Sequence, residues 1–340
     1  MKWYGEKSDE WQVTSDEFNP MTIPCIKFNR RFLHKDRERE KPSPWGEGLG
    51  KGGQPHHFPT RHFLWVLLLI IIFQLPVSVA KAQGASASPW NKIVVIGASA
   101  SAGFVVYEPF GGTNTTNRKL RFYLDAAIAV PHPPLQDFST ALLFLNPVDG
   151  SQGQVKSALA ARPTLVIGVD FLFWSCYGDG LSDDGRLRRF NDGLKLLERF
   201  KCPVVVGDIP DVSSATNTGI ISAEQVPNAA VLAQVNERLH AWAARHPQVV
   251  IVPLAKFIQN VAANKTIVVH GLVFPEGKTR TLMQGDRLHP TPRGAALLAL
   301  GILDALVSHE PEFPAKDIRW NQKQVFQLGF KEAQEVEIKN

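Results

Sequence analysis

The sequence predicts an α/β protein, a central parallel sheet of about five strands covered by helices on both faces. Three observations predict it. Short, strongly apolar, largely β-branched runs recur at residues 93–96, 164–169, 203–207 and 249–252, the pattern of strands buried on both sides. Segments with apolar residues at helical spacing alternate with those runs. The first run then breaks into small, turn-forming residues, Gly97-Ala98-Ser99-Ala100-Ser101-Ala102-Gly103, as a chain does at the carboxyl end of a strand, where open α/β sheets bind ligands.

With 340 residues the chain has room for one or two domains and a sizeable core. The net charge of +5 is spread thinly, with 11 Lys+Arg against 9 Asp+Glu in residues 1–61 and 25 against 23 in residues 83–340. No like-charge run provides a nucleic-acid footprint, so that class of partner is excluded on charge. Residues 1–60 are polar, rich in Gly, Pro and charge, and read as a disordered leader. Arg61-His62, the apolar run 63–75, Pro76 and Ala80-Lys81-Ala82 have the order of a secretory signal cleaved after Ala82. Segment 61–82 is therefore expected to be a signal peptide, with export to a periplasmic or extracellular site. The alternative is a membrane tether through 63–79, although 13 strongly apolar residues fall short of the ~20 a span needs. A start at Met21 would shorten the leader.

In the body, residues 117–130 read as a helix with Leu120, Leu124 and Ala127 on one face, closed by Pro131-His132-Pro133-Pro134. Residues 141–145 are a further short apolar run. Asp149-Gly150-Ser151 reads as a turn before a helix over 152–161, with Val155 and Leu159 inward. Residues 171–184 form an aromatic loop, either a substrate wall or core packing. Helices follow over 185–200 and 228–246, and Val268-Val269-His270 with Val273-Phe274 suggests a hairpin. The last apolar helix covers 293–307, and residues 309–340 are a polar tail without an assignment.

Serine hydrolysis needs a hydroxyl, a base, a group that orients the base, and N–H donors for the oxyanion. Ser99 stands at a strand end. Asp286 and His289, three residues apart before the last helix, bring a carboxylate and an imidazole within reach of one site. Cys176 and Cys202 suit one disulfide or two buried thiols, and Cys25 lies in the leader. No Cys/His spacing for a metal is present. Asn114-Thr115-Thr116 and Asn264-Lys265-Thr266 fit glycosylation acceptors. His132, His240, His246 and His270 read as surface or structural residues, Asp208 as a turn residue, and Ser101 as a helix N-cap. A dinucleotide-binding turn is disfavoured, since Gly97–Gly103 lacks the G-x-G-x-x-G spacing.

Residues 90–308 resemble the SGNH (GDSL-type) hydrolase family. Its first block, G-D-S-x-S/T-x-G, is matched by Gly97 to Gly103, and its last, D-x-x-H-P, by Asp286 to Pro290. The resemblance implies a three-layer α/β/α, flavodoxin-like fold and ester hydrolysis through an acyl-serine without metal or organic cofactor. It implies Ser99 as nucleophile, His289 as base and Asp286 as orienter. The oxyanion donors it implies are Ser99, one of Gly150 and Gly153, and position 170. Two departures stand out: Ala98 replaces the family's Asp, and Asp170 replaces the Asn that donates to the oxyanion. Asp170 is therefore protonated, turned away to a structural role, or a sign of impaired turnover. The expected function is an exported serine esterase or deacylase acting on a small-molecule or carbohydrate ester. The alternative is a catalytically impaired SGNH-fold protein that binds a carbohydrate or acyl ligand.

Overall fold

The computed structural model describes residues 88–339. The leader, the 61–82 segment, Met21 and Cys25 lie outside the described residues. Among the described residues no helix is long and apolar enough to cross a membrane.

Five strands, β1 (Ile93–Val95), β2 (Gln136–Asp137), β3 (Leu165–Gly168), β4 (Val204–Gly207) and β5 (Val249–Val252), form one parallel sheet in the order β2-β1-β3-β4-β5. Alternation along each strand sends its residues to two separate cores. Ile93, Val95, Ile167, Val205 and Val250 join Leu120, Leu124 and Leu297 on one face. Val94, Val166, Val204 and Val206 join Val155, Phe190 and Val235 on the other. Helices therefore cover both faces, and the fold is three-layer α/β/α.

The helices are α1 (Thr113–Thr116), α2 (Leu120–Ala127), α3 (Pro147–Ala161), α4 (Phe173–Cys176), α5 (Asp183–Leu197), α6 (Ala229–Ala243), α7 (Leu254–Ala262), α8 (Pro292–His309) and α9 (Gln322–Lys339). Local chemistry sets several starts. Asn146, Ser182, Asn228 and Thr291 each cap a helix by accepting an N–H from its first turn, and Pro147 and Pro292 stand at the first helical position. The Asn146-Pro147 start explains why Asp149-Gly150-Ser151 is the first turn of α3 and not a loop. The apolar run 141–145 becomes a short 3₁₀ turn, Leu143–Leu145, and the outer strand beside β1 is the polar pair Gln136–Asp137. The expected hairpin is present as β6 (Ile267–Val269) and β7 (Leu272–Phe274).

The polar tail folds onto the body. Arg319 N–H donates to the Ala127 carbonyl and Ala129 N–H to the Asp317 carbonyl, both at 2.7 Å. Phe313 packs edge-on to Trp90, and α9 buries Val325 and Ala333. A Cβ at Gly329 would meet the Tyr123 ring and the Phe122 carbonyl, so α9 crosses α2 closely there.

Candidate active site

The sheet order reverses between β1 and β3, and the crevice beyond their carboxyl ends is where such sheets hold ligands. Ser99 follows β1, and Asp170 follows β3 at the same crevice. Ser99 Oγ lies 2.8 Å from His289 Nε2, and His289 Nδ1 lies 2.8 Å from Asp286 Oδ2. The carboxylate accepts from the ring N–H at Nδ1, which leaves Nε2 to accept the Ser99 hydroxyl proton. Ser99 is half-buried, while Asp286 and His289 are buried. Burial pushes the Asp286 carboxyl up, but the hydrogen bond and charge of His289, with N–H donors from His289 and Leu288, outweigh it. The group ends below its usual range.

Asp286 Oδ1 accepts the Leu288 and His289 N–H groups at 3.0 Å each, which folds the carboxylate back over its own turn. Arg287, between them, takes a left-handed conformation (φ 58°), an unfavourable geometry for a side chain of that size. Gln284 straps this turn to the serine segment: its Nε2 donates to the Phe104 carbonyl at 2.8 Å and the Pro290 carbonyl at 3.0 Å. The Phe104 ring lies 4.7 Å from the imidazole.

Asp170 resolves one of the alternatives posed by its identity. Oδ1 accepts the Ala98 N–H (3.0 Å) and the Ser101 hydroxyl (2.6 Å), while Oδ2 accepts the N–H groups of Ala100 (2.9 Å) and Ser101 (3.0 Å). Both oxygens act as acceptors, so Asp170 holds the serine turn and does not serve as an oxyanion donor. Ser101 belongs to the same network and caps no helix. Gly97 makes the close approach to Asp170: its φ is +154°, and a Cβ there would run into Asp170 Oδ1. Gln154 completes the clamp, accepting the Gly97 N–H at 2.8 Å and donating to the Gly97 carbonyl at 2.9 Å.

Gly150 and Gly153 do not fit the oxyanion role expected of one of them. The Gly150 N–H donates to the Asn146 carbonyl at 2.9 Å, and Gly153 lies inside α3, where its N–H belongs to the helix ladder. Ser99 N–H makes no hydrogen bond among the described residues and is the donor that remains at the nucleophile.

Gln154 and Gln284 were not foreseen, because a lone glutamine carries no motif. Asp208 accepts the Ala255 N–H at 2.6 Å and so anchors the start of α7. In the aromatic loop, Phe171 and Tyr177 are core residues, whereas Phe173 lines the cavity beside Ser99. Cys176 and Cys202 are free thiols, pushed up by burial to about 12 and about 11. His132 pairs with Asp125, and His270 with Asp304. No group of three or more His, Cys, Asp or Glu side chains that could hold a metal occurs among the described residues.

Sheet order and side-chain relay together define an α/β protein with a serine–histidine–aspartate constellation at its topological switch point. No protein-family model matches the chain, and no curated protein does. Solved structures similar to it include a lipase/acylhydrolase from Enterococcus faecalis, at 14% identity and TM-score 0.43, covering 68% of this chain and 98% of that one. A gut microbial diltiazem-metabolizing enzyme matches at 15% identity and TM-score 0.40, covering 63% of this chain and 46% of that one. A Bacillus subtilis protein matches at 14% identity and TM-score 0.40, covering 64% and 56%.

Proposed function

We propose that the chain is an exported serine esterase or deacylase of the SGNH (GDSL-type) class. The observation that carries this is the hydrogen-bonded chain from Ser99 through His289 to Asp286. In the proposed reaction Ser99 Oγ forms a bond to the ester carbonyl carbon as His289 Nε2 takes its proton. The tetrahedral oxyanion is held by the Ser99 N–H. The bond to the alcohol then breaks, and His289 returns the proton to the departing oxygen. Water attacks the acyl-serine with His289 again as base, releasing the acid and restoring the hydroxyl. With the side-chain donor at position 170 replaced by an acceptor, turnover is expected to run about 10²–10³ below that of a full oxyanion hole.

The test is hydrolysis of p-nitrophenyl acetate and butyrate by the full chain and by Ser99→Ala. Loss of turnover in the variant supports the reading, and equal rates would end it. Export rests on the 61–82 pattern and is tested by sequencing the N-terminus of protein recovered from outside an expressing cell. A start at residue 83 is expected, whereas retention of the whole chain in the cytoplasm would count against it. The acceptor character of Asp170 favours a second reading, a binding protein of the same fold without turnover. Rapid labelling of Ser99 by a fluorophosphonate would exclude it, since an unactivated serine reacts slowly.

A further inference from the structure

We infer that the cavity beside Ser99 is an acyl-chain pocket, selecting esters of short, linear, uncharged acids. This rests on the esterase reading above. The cavity is lined by Ala98, Ser99 and Ala100 at the nucleophile and by Phe173, Val212, Leu254, Val261, Met283 and Leu298. Its one charged lining residue is Asp170, whose two oxygens already accept four hydrogen bonds from the serine turn. Sugar hydroxyls placed there would leave water without replacement partners, a cost that apolar methylenes avoid.

Ser99 itself, with Ala98 and Ala100, lines the pocket, so the group it holds adjoins the carbonyl that the serine attacks. His289, which must face the departing alcohol, lines neither this cavity nor the groove beyond Phe104, and its neighbours Leu288 and Pro290 line the cavity. Phe104, whose ring lies 4.7 Å from the imidazole, lines a separate groove with Glu108, Phe110, Ser139 and Thr140. In the proposed arrangement the acyl chain takes the apolar cavity and the leaving group the side toward Phe104.

Volume and surroundings favour a short chain. The cavity holds about 60 Å³, several times the ~10–15 Å³ one water requires. At Ile258, Val261 and Met283 it borders a groove lined by Arg280, Gln284 and Arg287. A chain that outgrows the pocket enters this cationic groove and gains little from further methylenes.

The experiment is kcat/KM for p-nitrophenyl acetate, butyrate, hexanoate, octanoate and decanoate with the full chain. Each methylene up to butyrate or hexanoate is expected to raise kcat/KM about fourfold, with a fall by decanoate. In Ile258→Trp the hexanoate-to-acetate ratio is expected to drop at least tenfold, and in Leu254→Ala the optimum to move to a longer chain. A flat profile, or one highest at acetate, in protein whose Ser99 reacts with a fluorophosphonate would overturn the pocket and leave the esterase reading standing. Absence of both labelling and turnover would remove the esterase reading and the pocket together.

Discussion

At Asp170 a single side chain decides how the serine turn is built. The four bonds it accepts come from the residues on either side of the nucleophile, so an Asn there could satisfy one oxygen's partners but not both. Asp170→Asn is expected to cost about 1–3 kcal/mol in a urea titration and to lower ester turnover, although it restores the residue type of the SGNH family that the sequence resembles. Higher turnover at unchanged stability would show that Asp170 merely displaces a donor. Gln154→Ala leaves the buried Gly97 N–H unpaired, while the Gly97 carbonyl keeps the Thr140 N–H, and is expected to cost a similar ~1–3 kcal/mol, read by the same titration. Ser99, Asp286 and His289 were legible in the sequence because their residue types and order carry the chemistry. Gln154 and Gln284 were not, since their partners are main-chain groups brought close only by folding. Gly150 misled because a glycine suits both a turn and a helix's first turn, and the Asn146-Pro147 start decided between them.

Among the elements, strands were readable where burial on both faces demanded uninterrupted Val and Ile, as in β3, β4 and β5. The pair Gln136–Asp137 was not, being two polar residues held by backbone pairing to β1. Helix α9 escaped notice because its apolar stripe is thin, resting on Val325, the Gly329 crossing and Ala333. Its docking carries a pH dependence. Burial and the Asp125 charge push Glu332 up to about 7, against Arg121 and His132. His132 is itself raised, chiefly by its hydrogen bond to Asp125. A Glu whose folded pKa exceeds its unfolded value of ~4.3 holds extra protons in the folded state, so this group's contribution to stability falls as pH rises from about 4 to about 7. Protection factors of the α9 amides, taken relative to the intrinsic exchange rate at each pH, are expected to be lower at pH 8 than at pH 5. Glu332→Gln should reduce that difference, and an unchanged difference would assign it to other groups.

Over the molecule as a whole, residues 310–339 continue the helical layer over α2 and α8. Removing residues 310–340 would uncover Trp90, Tyr123 and the α2 face, and is expected to yield insoluble protein or protein without a cooperative thermal transition. A soluble, cooperatively melting 1–309 would show that the body stands without this layer. The position of α9 also bears on how the molecule is made. Its partner α2 emerges from the ribosome about two hundred residues earlier, so that flank waits bare through most of synthesis. Nascent chains stalled with residue 309 just outside the exit tunnel are accordingly expected to remain protease-sensitive around α2, and released full-length chains to resist. Completion of this layer waits on α9 itself, and the α2 flank stays open to chaperones until the last turn of α9 is free.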